Sequence, residues 1–213
     1  MTSELLRSEI GDEWEAITTD PWTDGLGEGT LSRSSMVRYL VQDHRFLDAF
    51  TVLLSATLSK TKSLEDRVFG AQFLALVLGE ENTYFERSFA ALEVSALERS
   101  APSEPETAAF DELMRSAAAS GKLHVQLAVL CVAEWSYLTW GERVAKNKKE
   151  NLPFYFDEWI SLHSGTYFQQ VVAYLRGLLD ALSLSPAELD EARTAFRQAA
   201  RCERDFWHML TRV

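Results

Sequence analysis

Four stretches of this chain place a carboxylate or an imidazole on a face otherwise suited to burial, an arrangement from which proton-transfer chemistry can be built. In "VQDHRFLDAF", Asp43 lies three residues before Phe46 and seven before Phe50, so its carboxylate shares an aromatic helix face. In "LCVAEWSYLTWG", residues 130–141, Glu134, Tyr137 and Trp140 follow one another at spacings of three and share roughly one face, with Cys131 and Trp135 to the side. "YFDEWISLHSG" aligns Tyr155, Trp159 and His163 at spacings of four, and "RCERDFWHML" sets Glu203 three residues before Phe206 and four before Trp207.

A carboxylate taken out of water must be paired or hydrogen-bonded. One that finds no cation holds its proton to higher pH and can then serve as an acid or a base near neutrality. Each position also has a plainer reading. Asp43 could pair with Arg38 or Arg45 or cap a neighbouring helix, Glu134 could sit in an ion pair, Glu203 could pair with Arg201 or Arg204, and His163 could be a satisfied core residue. Metal chemistry is disfavoured. In "GEENTYFE", Glu80 and Glu81 have Thr83 and Tyr84 three residues on, and no ExxH spacing occurs in the chain. Cys131 and Cys202 form no CxxC, which argues against a zinc site and a disulfide framework and suits a reducing compartment.

The elements that must carry these groups read as helices. Only five prolines and ten glycines occur, mostly between long apolar-periodic segments, and strand-like alternation is hardly seen. The pattern predicts a helix over about 3–18, then a loop at "TDPWTDGLGEG", then helices from near Ser34 and from Ser63. "APSEPE" separates a fourth helix that Gly121 closes, and a fifth over about 122–147 ends before "NKKENLP". A short helix bends at Ser164 and Gly165 before "TYFQQVVAYLRGLLDAL", and the last begins at "SPAE", with Ser185 as N-cap, Pro186 in the first turn and Glu188 completing a capping box. We read residues 1–213 as a single all-α bundle of about seven or eight helices.

Composition narrows the partners. Thirty-two acidic against twenty-one basic residues give a net charge of −11, which repels nucleic acid and anionic membrane surfaces. No run approaches the roughly 18 apolar residues needed to span a bilayer, and the acids in "MTSELLRSEIGDEWEAI" exclude a signal peptide, so a cytoplasmic location is expected.

Taken in order, "YLVQDHRFL", the segment from Gly121 to Gly141, "YFDEWISLHSGTYF" and "CERDFWHML" resemble the TenA family, the thiaminase II group with the haem-oxygenase-like fold. The resemblance implies a helical bundle, usually a homotetramer, that hydrolyses aminopyrimidines in thiamin salvage and needs no metal or organic cofactor. It places Asp43 on the aspartate that binds the aminopyrimidine ring, Glu203 on the glutamate that handles the proton, and Tyr137 on the tyrosine one turn past the nucleophile. Departures from the pattern matter as much. Counted without a gap from Gly121, the nucleophilic cysteine's position holds Ala133, and Cys131 falls two residues early, about 200° around the helix. Glu134 beside that vacancy makes the chain look like the branch that lacks the cysteine and carries a glutamate. Phe46, Phe110 and His163 occupy sites of tyrosines common in the cysteine branch.

Three functions follow as expectations. The first is hydrolysis of an aminomethyl- or N-formylamino-substituted pyrimidine by Glu203 and Glu134 acting as a coupled pair, with Asp43, Tyr137, His163, Phe46 and Phe110 forming the substrate site. The second is a binding protein for a small heteroaromatic ligand that lacks turnover. The third, an oxygenase on the same architecture, is opposed by the absence of any histidine before His44. A homo-oligomer, tetramer or dimer, is expected in the first case.

Overall fold

The computed structural model describes residues 1–212, and all their regular structure is helical. The helices are α1 (Thr2–Ser8), α2 (Gly11–Thr18), α3 (Pro21–Glu28), α4 (Arg33–Lys60), α5 (Leu64–Leu76), a π-helical turn (Val77–Glu81), α6 (Asn82–Ala91), α7 (Ala96–Arg99), α8 (Pro105–Ser120), α9 (Leu123–Ala145), α10 (Phe154–Leu162), α11 (Thr166–Asp180) and α12 (Pro186–Thr211). The all-α bundle expected from the sequence is therefore what forms, with its segments divided more finely.

One expectation fails locally. The "TDPWTDGLGEG" stretch, read as a loop, contains α3. Asp20 accepts a hydrogen bond from the Trp22 amide (2.9 Å), and Pro21 fits the first turn, where its missing N–H costs nothing. Gly25 and Gly27 serve close packing here: an added Cβ would lie 2.8 Å from Leu31 and 2.6 Å from Val144. Only Gly29, at φ 65°, takes the left-handed terminating conformation.

Capping starts the long helices within about two residues of where the sequence puts them. Ser32 caps α4, Ser63 caps α5, and Ser185 with Glu188 forms a complete capping box on α12, whose first residue is Pro186. Gly121, at φ 64°, closes α8.

The centre of the bundle is α9, which packs against α12, α11, α4, α8, α2, α3 and α10. Every residue from Gln126 to Ser136 is buried, and within that stretch residues 127–133 are apolar on every face. By contrast, α12 is strongly two-faced. Its stripe of Ala192, Ala195, Phe196, Ala199, Ala200, Phe206, Trp207 and Leu210 is buried, with Glu203 set in the middle of it. Among the described residues no helix is long and apolar enough to cross a membrane.

Candidate active site

Carboxylates from three different elements open into one internal cavity. From α4 come Asp43, Phe46, Leu47 and Phe50, and from α5 and the π turn come Phe73, Val77 and Glu81. The third wall is Ala133, Glu134 and Tyr137 of α9, and Trp159 with His163 from α10 and its end completes the lining. The water-accessible volume is about 30 Å³. A second, outer chamber of about 310 Å³ adjoins it, and Phe73, Glu81 and His163 line both.

Backbone geometry explains how Glu81 reaches the cavity. Phe73, Val77 and Glu81 are spaced by four, and in a uniform α-helix each such step drifts about 40° around the axis. The π turn carries more residues per turn and removes that drift, keeping Glu81 on the face of Phe73 and Val77. The close approach of α9 to the end of α10 depends on Gly141. A Cβ there would collide with the His163 carbonyl.

Three of the four arginines that could have neutralised these carboxylates bind other groups. Arg38 pairs with Glu104, Arg45 donates to the carbonyls of Arg99 and Ala101, and Arg204 pairs with Glu13 and Asp205. Asp43, Glu134 and Glu203 are 6%, 9% and 2% exposed. Burial raises Asp43 to about 7, with the nearby Tyr39 hydroxyl pulling it back. Burial raises Glu81 to about 8, with Asp43 adding to the rise. Glu134 is pushed well up by burial and then by Glu81, Glu203 and Asp43, and Glu203 by burial and then Asp43. The four groups therefore interact, and at neutral pH they hold protons that isolated carboxylates would have lost.

The polar wall has a defined direction of donation. Trp159 Nε1 donates to the Tyr39 hydroxyl (2.9 Å), which lies 3.1 Å from the Tyr137 hydroxyl. His163 Nδ1 lies 2.9 Å from the Trp159 carbonyl, which can only accept, so Nδ1 carries the proton and Nε2 is the free acceptor. Burial lowers the pKa of His163 to about 4, so the ring is neutral. Tyr137, Trp140, Trp207 and His163 pack edge to face or tilted, with centroids 5.0–6.4 Å apart.

Of the residues singled out from sequence, Asp43, Phe46, Glu134, Tyr137 and His163 line the cavity together. Glu203 lies in the adjoining layer, close enough to act on Glu134 and Tyr137. Phe110 does not reach the cavity. It packs edge to face behind Phe46, with centroids 5.1 Å apart. Sequence reasoning missed Tyr39 and Glu81. Tyr39 precedes Asp43 by four and so shares its face, a signal that was available. Glu81 was weighed only as a metal ligand. Among the described residues no group of three or more His, Cys, Asp or Glu is arranged to hold a metal ion.

The sequence profile described as the TENA/THI-4/PQQC family matches residues 8–213. The chain belongs to this family. Similar proteins include the aminopyrimidine aminohydrolase of Bacillus subtilis, 29% identical with 99% of this chain and 89% of that protein covered. The aminopyrimidine aminohydrolase of Halalkalibacterium halodurans is 27% identical, with 92% and 89% covered. A TenA homologue from Pyrococcus furiosus shares the fold at a TM-score of 0.89 and 21% identity, over 99% of this chain and all of that one. Within this member of the TENA/THI-4/PQQC family, Ala133 lines the cavity, whereas Cys131, 1% exposed, is absent from its lining and has its thiol pKa pushed up by burial.

Proposed function

We propose that the protein hydrolyses an aminopyrimidine carrying an aminomethyl or N-formylaminomethyl substituent, in thiamin salvage, with carboxylates and without a thiol nucleophile. The observation that carries this reading is Ala133 at the cavity wall beside Glu134, with Asp43 and Glu81 opposite and Cys131 outside the lining. The names of the similar proteins, aminopyrimidine aminohydrolases, support the substrate class.

In this reading Asp43 accepts hydrogen bonds from the ring's amino group, and Phe46, Tyr137 and the aromatic layer behind them hold the ring plane, Phe110 acting through Phe46. Glu203 and Glu134 share protons as a coupled pair. The ionised member takes a proton from water as the water oxygen bonds to the methylene carbon. The C–N bond breaks with its electron pair going to nitrogen, and the protonated member supplies a proton to a leaving nitrogen that lacks one. The neutral His163 offers an acceptor where a tyrosine would offer a donor. The same reading takes the protein as a cytoplasmic homo-oligomer with no metal or organic cofactor.

A direct assay of the purified protein tests it. Aminomethylpyrimidine, its N-formyl derivative and thiamin are each followed for product, alongside calorimetric binding. Turnover of the first or second without thiamin cleavage is the expected result. Binding without turnover would make the cavity a ligand cage and end the hydrolase reading. Glu203→Gln is expected to abolish turnover while largely sparing binding, and full activity in that variant removes Glu203 from the mechanism.

A further inference from the structure

The inner cavity and the outer chamber meet at three side chains, Phe73, Glu81 and His163. Of these, Glu81 alone can carry a negative charge, since His163 is held neutral with Nε2 as an acceptor and Phe73 is apolar. The outer chamber adds Glu80, Ser161 and Tyr167 to its walls and no basic side chain. Asp43 and Glu134, both more than nine-tenths buried, face the inner cavity with no cationic group among the influences on either. The inner end therefore offers aromatic walls to a ring, and the acidic lining that it shares with the outer chamber suits a group that donates hydrogen bonds and carries positive charge.

Resting on the hydrolase reading, we propose that Glu81 receives the exocyclic ammonium of the substrate at the mouth of the inner cavity, and that this contact makes the protein prefer a free aminomethyl group over its neutral N-formyl derivative. In the empty site Glu81 holds its proton, its pKa raised to about 8, and an arriving ammonium supplies the positive charge that favours the ionised form, after which an anionic acceptor gains most from a charged donor. Protein neighbours supply no competing partner: burial and Asp43 both act against ionised Glu81, and no hydrogen bond offsets them. A nitrogen that arrives as ammonium already holds the proton it needs to leave. The C–N bond breaks with its pair going to nitrogen, water's oxygen bonds to the methylene carbon, water's proton passes to the ionised carboxylate of the Glu134 and Glu203 pair, and ammonia departs through the outer chamber.

The test compares wild type, Glu81→Gln and Glu81→Asp by kcat/KM on aminomethylpyrimidine and on its N-formyl derivative, with calorimetric Kd for aminomethylpyrimidine and for the neutral hydroxymethyl product. Glu81→Gln is expected to lower kcat/KM for the amine about 30-fold, the scale of one charge-assisted hydrogen bond, while the N-formyl substrate changes less than about threefold. Amine affinity should fall in step and hydroxymethyl affinity should hold. Glu81→Asp, which keeps the charge, should recover part of the amine preference. Equal losses on both substrates, or none on either, overturn the inference while leaving the hydrolase reading standing. If wild type turns over neither substrate, the hydrolase reading fails, and the ratio of amine to hydroxymethyl affinity in wild type and Glu81→Gln still decides the role of Glu81. A wild type that binds neither ligand overturns both.

Discussion

At the scale of single residues, the buried acids give this protein a pH signature. Asp43 and Glu81 have folded-state pKa values raised to about 7 and about 8, so the folded state holds protons the unfolded chain has released. Their contribution to stability is complete below about pH 4 and is lost as pH rises through 7 and 8. His163, lowered to about 4, acts in the opposite sense: its contribution is present above about 6.5 and is lost as pH falls toward 4. Between pH 6.5 and 8.5 the acids alone set the slope, so the melting temperature is expected to fall with rising pH. Glu81→Gln should flatten that fall and raise stability at pH 8.5 relative to wild type, as read by thermal melts across the range; an unchanged slope would show that Glu81 is already ionised. Cys131→Ser is expected to leave turnover almost intact, and a loss of several orders of magnitude in the assay would return the thiol to the chemistry. Asp43, Glu134 and Glu203 were legible in the sequence because helical spacing sets each three residues from an aromatic side chain, Phe46, Tyr137 and Phe206, on one face. Glu81 was not, since "GEENTYFE" has the composition of a solvated face, and the π turn that redirects it has no reliable residue signature.

At the scale of elements, the site depends on how closely helices approach. The contact of Gly141 with the His163 carbonyl sets the distance between α9 and the end of α10, and with it one wall of the cavity. Gly141→Ala forces those elements apart or strains them, a change that costs about 1–3 kcal/mol. Thermal melting should show a loss of several degrees, and ligand affinity by calorimetry should drop with it; a fully wild-type protein would mean that α10 adjusts freely. The capping box of α12 is a separate, purely structural device, and Ser185→Ala is expected to cost about 1 kcal/mol in denaturant unfolding without touching kcat. Helix boundaries with such caps were readable from sequence. The α3 segment was not, because its glycines mimic a loop while serving close packing against Leu31 and Val144.

At the scale of the whole molecule, the net charge of −11 and the acid-lined cavity have the same sign, so the field favours cationic ligands on approach as well as at the site. On α5, Leu64 and Val68 are 72% and 49% exposed and share one face at a spacing of four. Under the homo-oligomer proposed above, this pair is the candidate contact between subunits. Leu64→Glu with Val68→Glu is expected to lower the mass found by sedimentation, and an unchanged mass would move the contact elsewhere. The narrowing from the outer chamber to the inner cavity has a kinetic meaning. The inner space accessible to water is about 30 Å³ against about 310 Å³ outside it, and both are lined by Phe73, Glu81 and His163. A ligand that pauses in the wider chamber before seating in the narrower one binds in two steps, so the tryptophan fluorescence change on mixing should approach a ceiling rate as ligand concentration rises; a rate that climbs without limit would make entry a single step.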